Sequence, residues 1–160
     1  MRIRTLRRRL THYFGPNFFY QISSFMWRIK LVPLAELFRY LGVFIFHCDI
    51  SYKSIIGQRV SFPHYGLGTV VGKYVTIGDE CVVMPGVLLG ATLRNQGMPN
   101  LGKGVVIGAG AKVLGAINIG EGAVVAANSV VTMDVAAFSL VGGNPSRVLK
   151  DRIEPNELDV

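Results

Sequence analysis

VGKYVTIGDECVVMPGVLLG, residues 71–90, places an aliphatic side chain at every sixth position: Val71, Ile77, Val83 and Leu89. The step continues through Leu101, Ile107, Val113, Ile119, Val125 and Val131. The twelve residues between Leu89 and Leu101 are two sixes, so the phase survives an interruption. An amphipathic helix needs apolar residues at three-four spacing and a lone strand alternates by twos, and ten anchors at a step of six fit neither. The position after the anchor is tiny at Gly72, Gly78, Gly90, Gly102, Gly108, Gly120 and Ala126, which is expected to let the chain turn sharply with positive φ. The fifth position is small or β-branched, from Val75 and Cys81 to Ser129 and Val135. Each unit therefore offers a large and a smaller inward side chain on a short extended segment. Three units make one triangular coil, and stacked coils bury a column that no single repeat buries alone. The predicted fold is all-β, a hexapeptide parallel β-helix over residues 49–143, with a short α-helical segment at 1–48 before it and a tail at 144–160 after it.

Length and composition agree with this reading. One domain of 160 residues is long enough for a core, half of the residues are hydrophobic, and only 17% are charged, which excludes disorder for most of the chain. The two cysteines do not make a disulfide framework. Cys81 falls on an inward repeat position as a small hydrophobe, and a reducing cytoplasm is the natural compartment. The net charge of +7 is concentrated at Arg2, Arg4, Arg7, Arg8 and Arg9. No nucleic-acid motif accompanies that cluster, so nucleic acid is not an expected partner.

Residues 1–48 lack the six-residue rhythm and are rich in aromatics, among them Phe14, Phe18, Phe19, Phe25, Trp27 and Phe44. They read as two helices, the first beginning after Gly15-Pro16 and the break lying near Pro33. Neither a cleavable signal nor a membrane span fits. The apolar run Tyr40–Cys48 is less than half of the roughly 20 residues a span needs. Two roles fit the segment: a helical cap over the first coil, and a peripheral contact with the inner membrane surface through residues 1–30. They are compatible on different faces.

The step begins imperfectly at Ile50, Ile56 and Phe62 and slips by three residues at Gly66–Thr69. The second interruption, residues 91–100, has no inward pattern and must leave the coil as a loop, which makes Arg94, Asn95, Gln96 and Met98 candidate substrate contacts. Of the three histidines, His64 lies at the slip, with Asp49 fifteen residues earlier, about one coil below. A carboxylate so placed holds one ring nitrogen and leaves the other free as a general base. A purely structural histidine is the alternative. A zinc site on such a solenoid needs three converging histidines, but His12 and His47 lie outside the repeats, so no metal is expected.

The segments Asp49-Ile50, 62–72 (FPHYGLGTVVG), 87–92 (VLLGAT), 107–115 (IGAGAKVLG) and 141–148 (VGGNPSRV) resemble serine acetyltransferase and its shorter relatives, the hexapeptide O-acetyltransferases of surface-polysaccharide synthesis. The likeness spans roughly residues 48–150 and implies a left-handed winding, a homotrimer with active sites between subunits, and acetyl transfer from acetyl-CoA to a hydroxyl. It assigns the base to His64 and its orientation to Asp49. It sets Gly90, Ala109 and Ala127 along the pantetheine arm of the coenzyme, whose phosphates need cations such as Lys112, Arg147 and Lys150. Three positions depart from the serine enzymes. An acidic residue before the histidine and an Arg-His pair in the loop are replaced here by Pro63, Gly97 and Met98. Each lost charged hydrogen bond removes roughly 1.5 to 3 kcal/mol of affinity for a zwitterion. The expected acceptor is therefore a neutral sugar hydroxyl of a cell-surface glycan or its precursor, with L-serine as the alternative and a non-catalytic scaffold as the reading from another class.

Overall fold

The computed structural model describes residues 15–93 and 96–153. Short strands line three parallel faces. The first is β1 (Asp49–Ile50), β3 (Val70–Val71), β6 (Leu88–Gly90), β9 (Lys112–Leu114) and β12 (Val130–Val131). The second is β2 (Ile55–Ile56), β4 (Thr76–Ile77), β7 (Asn100–Leu101) and β10 (Asn118–Ile119). The third is β5 (Val82–Val83), β8 (Val106–Ile107), β11 (Val124–Val125) and β13 (Leu140–Gly142), closed by β14 (Arg147–Lys150). The register runs Ile50, Val71, Leu89, Val113, Val131 up the first face, which makes about four turns of a β-solenoid. The three-residue slip and the six extra residues at the loop lengthen two of those turns, and the inward phase is kept through both.

All ten aliphatic anchors are essentially inaccessible, and so are Val75, Cys81, Val87, Val105, Ala111, Ala123 and Ser129 between them. At roughly 1.5–3 kcal/mol for each fully buried aliphatic side chain, this column is the main favourable contribution to the fold. The expectation about the small positions needs correction. Gly72, Gly78, Gly102, Gly108 and Gly120 do not adopt positive φ. Their N–H groups donate to the next coil, Gly78 to Leu101 at 2.8 Å and Gly108 to Val125 at 2.8 Å, which brings their Cα atoms directly under backbone. A Cβ on Gly78 would lie 2.7 Å from the carbonyl of Gly102, and one on Gly108 would lie 2.5 Å from the amide of Ala127. Left-handed backbone instead recurs two positions later, at Gly68, Tyr74, Glu80, Gly86, Gly104, Gly110, Gly122 and Asn128. The sharp corner thus belongs to one phase of the repeat and the close approach of coils to another.

The N-terminal segment forms α1 (Pro16–Arg28) and α2 (Val32–Phe46), with the break at residues 29–31 and Pro33 inside the first turn of α2. This hairpin caps the first coil. Tyr20 Oη donates to Ser54 O at 2.9 Å, Asn17 Nδ2 donates to Val60 O at 3.0 Å, and Trp27 lies against Tyr52 with ring centroids 6.2 Å apart. Small buried residues, Ser23, Ser24, Ala35 and Gly42, let the helices approach, and most of the bulky side chains expected in the cap point outward. No helix among the described residues is long and apolar enough to cross a membrane. At the other end the expected tail is in part structured: β14 pairs antiparallel with β13, and Ile153 is buried, its N–H donating to Phe138 O at 2.6 Å.

The two glycine roles predict different costs. Gly78→Ala forces backbone against backbone and lowers stability by about 1–3 kcal/mol. Gly104→Ala meets open space and carries only the left-handed penalty of about 1 kcal/mol. Thermal melts of the two variants against the parent check the order.

Candidate functional site

The slip in the solenoid is a tight turn, Pro63–Gly66, between the third and first faces. His64, Tyr65 and Gly66 follow one another in left-handed conformation, with φ of 52°, 59° and 62°. Two non-glycine residues in that region cost of order 1–3 kcal/mol each, and such strain persists where the surroundings impose it. Several contacts impose it here. Gly68 N–H donates to His47 O at 2.8 Å, Thr69 N–H to Gly66 O at 2.8 Å, and Thr69 Oγ1 to Met84 O at 3.2 Å. The Tyr65 ring stacks on Phe46 at 5.5 Å. A Cβ on Gly66 would come within 2.9 Å of Cys48 Sγ, so no larger residue fits above that buried thiol. The result is a fixed turn that holds His64 out toward solvent.

Asp49 lies on β1, one rung below Val70. Both of its carboxylate oxygens accept from Arg39, Oδ1 from Nε at 2.7 Å and Oδ2 from Nη2 at 2.6 Å. The third nitrogen of the guanidinium, Nη1, donates to Glu36 Oε2 at 3.2 Å, and Tyr52 Oη donates to Glu36 Oε1 at 2.9 Å. The hydrogen bond to Asp49 holds the Arg39 guanidinium protonated well above its ordinary range. Among the described residues no hydrogen bond joins Asp49 to His64. Arg39 escaped the sequence reading, although an Arg and a Glu three residues apart in an otherwise apolar helix were the visible signal.

Above His64 runs one corner of the solenoid. Gly86 N–H donates to Leu67 O, Gly110 N–H to Pro85 O and Asn128 N–H to Ala109 O, at 2.8–2.9 Å. Gly68, Gly86 and Gly110 stack with so little between them that a Cβ on the first two would touch the next glycine's Cα at 3.6 and 3.5 Å. The corner therefore shows mostly backbone at Gly68 and Gly86, the Asn128 side-chain oxygen lies over Gly110, and Ala109 and Ala127 are exposed along its edge. Lys112 stands beside it on β9 with its Nζ donating to Gly110 O at 2.8 Å. Arg147 begins β14, next to Ser146, whose N–H donates to Val130 O at 3.0 Å, so it stands near the top of the same corner. The other predicted contacts lie elsewhere. Lys150 pairs with Leu140 at the far edge of the third face, and Gly90 ends β6 at the far edge of the first face. The loop leaves from that far edge too. Met98 turns in over the coil, its sulfur 3.5 Å from where a Cβ on Gly72 would stand, while Gln96 is exposed and Arg94 and Asn95 lie outside the described residues. Within one chain, then, His64 and the loop occupy opposite edges of the first face. No cluster of metal-ligating side chains occurs among the described residues.

Comparisons with known proteins bear on the fold and the family. The family profile described as bacterial transferase hexapeptide (six repeats) matches residues 98–132. Serine acetyltransferase of Staphylococcus aureus is 43% identical over 131 residues, which cover 81% of this chain and 61% of that protein. Serine acetyltransferase 4 of Arabidopsis thaliana is 39% identical over 134 residues, 81% of this chain and 37% of that one. The chain thus spans 61% and 37% of the length of these two relatives, under two thirds of each. The crystal structure of serine acetyltransferase in complex with coenzyme A from Brucella abortus superposes with a TM-score of 0.81 at 29% identity, covering 84% of this chain and 54% of that one. These likenesses bear out the left-handed hexapeptide β-helix. The relatives named here are serine acetyltransferases, so they support that family and not the polysaccharide branch of the resemblance.

The buried support of the turn gives a prediction. Burial, helped by the Asp49 charge, pushes the Cys48 thiol from the ordinary 9.0 up to about 12. A thiol that stays protonated is a poor nucleophile. The folded protein should resist iodoacetamide at pH 9 at Cys48 and react promptly once denatured. Because the folded value is raised, this thiol also withdraws stability as pH climbs from about 9 to about 12.

Proposed function

We propose that this hexapeptide-repeat chain is an acetyl-CoA-dependent O-acetyltransferase with His64 as general base. The observation that carries the reading is the fixed turn that holds His64 at the foot of a glycine-lined corner with few side chains. A neutral imidazole takes the proton of the attacking hydroxyl, and the resulting imidazolium is stabilised by a carboxylate. Asp49 is the carboxylate assigned to that role. An ionised carboxylate has about four acceptor sites, so the two used by Arg39 leave room for an imidazole N–H. Arg39 in turn fixes the carboxylate as a bidentate clamp and ties α2 to the site. Coenzyme A lies along the corner, its pantetheine over Gly86, Gly110, Ala109 and Ala127 and its phosphates toward Lys112 and Arg147. Lys150 and Gly90 stand at the far edges, where in a homotrimer they face a neighbouring subunit. The same symmetry brings one subunit's loop to another subunit's His64, which one chain by itself does not do.

For the acceptor, the relatives' names favour L-serine, and this reading stands first. The second reading, a neutral glycan hydroxyl, rests on particular residues: Pro63 replaces the acidic neighbour of the base, and Gly97 and Met98 replace the loop's charged pair. Met98 is also folded in against the coil, so its side chain is withdrawn from the acceptor.

His64→Ala should lower turnover by about 100-fold or more while leaving coenzyme A affinity and melting temperature near those of the parent. Turnover within a few-fold of the parent would end the assignment. Thioester consumption with L-serine against neutral sugars then separates the two acceptors. Saturation by serine below the millimolar range carries the first reading, and turnover confined to sugars carries the second.

A further inference from the structure

The helical hairpin keeps much of its apolar surface outside. Its inner face, toward the solenoid and between the helices, combines the aromatics Phe19, Tyr20 and Phe46 with small and polar residues such as Asn17, Ser23, Ser24, Ala35, Arg39 and Gly42. Its outer face is apolar on both helices. On α1, Phe18, Ile22, Phe25 and Ile29 recur at i, i+4, i+7 and i+11, with Phe25 57% exposed. On α2, Leu34, Leu37, Leu41, Phe44 and Ile45 form the matching stripe, opposite Ala35 and Gly42, and Phe44 is 81% exposed. Spacing of this kind puts each set on a single helix face. Contiguous apolar surface of that extent on a folded chain marks a contact surface.

The charges beside it identify what it contacts. Between Gly15 and Tyr52 the acidic side chains are Glu36 and Asp49, and Arg39 binds both. No acidic side chain in that span is left on the outer face. Arg28 and Lys30 are exposed at its edge, in the turn between the helices; the sequence ahead of α1 carries Arg2, Arg4, Arg7, Arg8 and Arg9, which lie outside the described residues. A second copy meeting this face about a two-fold axis would find no acidic side chain on it to pair with Arg28 and Lys30. An anionic lipid surface supplies the charge and receives the apolar stripes at once.

We propose that the outer face of α1 and α2 docks the protein on an anionic membrane surface, with the hairpin lying in the interfacial plane and the solenoid standing off it. The helices have 13 and 15 residues, so each is too short to span and well suited to lie flat. The contact expected for residues 1–30 therefore extends through α2, whose stripe is the more exposed of the two. Docking is independent of the acceptor, because His64 and Asp49 are untouched by the face.

The test uses the full-length chain and a variant carrying Leu37→Gln, Leu41→Gln and Phe44→Gln, three outward positions that leave the cap contacts in place. Each is sedimented with vesicles of equimolar phosphatidylglycerol and phosphatidylcholine and with phosphatidylcholine alone, at low and high salt. The parent should pellet with the anionic vesicles, less so as salt rises, and the variant's partition should fall by about tenfold or more with an unchanged melting temperature. Equal partition of the two proteins, no anionic preference, or no vesicle binding by the parent would overturn the proposal. So would a lipid-free assembly that is larger for the parent than for the variant, since that would assign the face to a second copy.

Discussion

The molecule depends on how closely one coil can lie on the next. Hydrogen-bonded strands sit about 4.8 Å apart, and at that separation a Cβ has no room wherever one coil's Cα lies directly under the backbone of the next. Gly57, Gly78, Gly102, Gly108 and Gly120 occupy those positions, each with neighbouring backbone 2.4–2.8 Å from its absent Cβ. Because every coil obeys the same limit, the aliphatic anchors stack in register and the column stays dry. The corner above His64 belongs to the other phase: Gly68, Gly86 and Gly110 stack there in left-handed conformation, so few side chains cover the line that begins at the strained turn.

A solenoid has two open ends, and this chain closes them by different means. At the C-terminal end β14 folds back on β13, and Ile153 is buried nearby. At the N-terminal end the hairpin rests on the first coil through a few directional hydrogen bonds and small buried side chains. A cap held that way spares its large apolar residues for the outside. Arg39 joins the hairpin to the candidate site, because the helix that carries the outer stripe also clamps Asp49 on the first strand.

The sequence made some of this plain and hid the rest, for physical reasons. Anchors such as Ile77 and Ile107 are legible because a buried column tolerates only large aliphatics and repeats without exception. The slip at Gly66–Thr69 shows as a broken phase, and it located the His64 turn. The corner phase was hidden because Tyr74, Glu80 and Asn128 adopt the same left-handed backbone as Gly86 and Gly110, so no residue type marks it. The two N-terminal helices were legible, but composition cannot say which way Phe44 points when apolar residues cover most of a helix and only Glu36 and Arg39 interrupt them. The Arg39–Asp49 clamp was hidden for another reason: it joins a helix to a strand, and no local spacing encodes such a contact.

The central claim is that the glycine-lined corner is the coenzyme A groove leading to His64. Titration calorimetry with coenzyme A on the parent and on the double variant Ala109→Trp, Ala127→Trp tests it most directly. Both positions are exposed, so indoles there obstruct the corner without entering the core. The account predicts saturable binding by the parent and none by the variant, with both melting alike. Equal binding by the two proteins, or none by the parent, would contradict it.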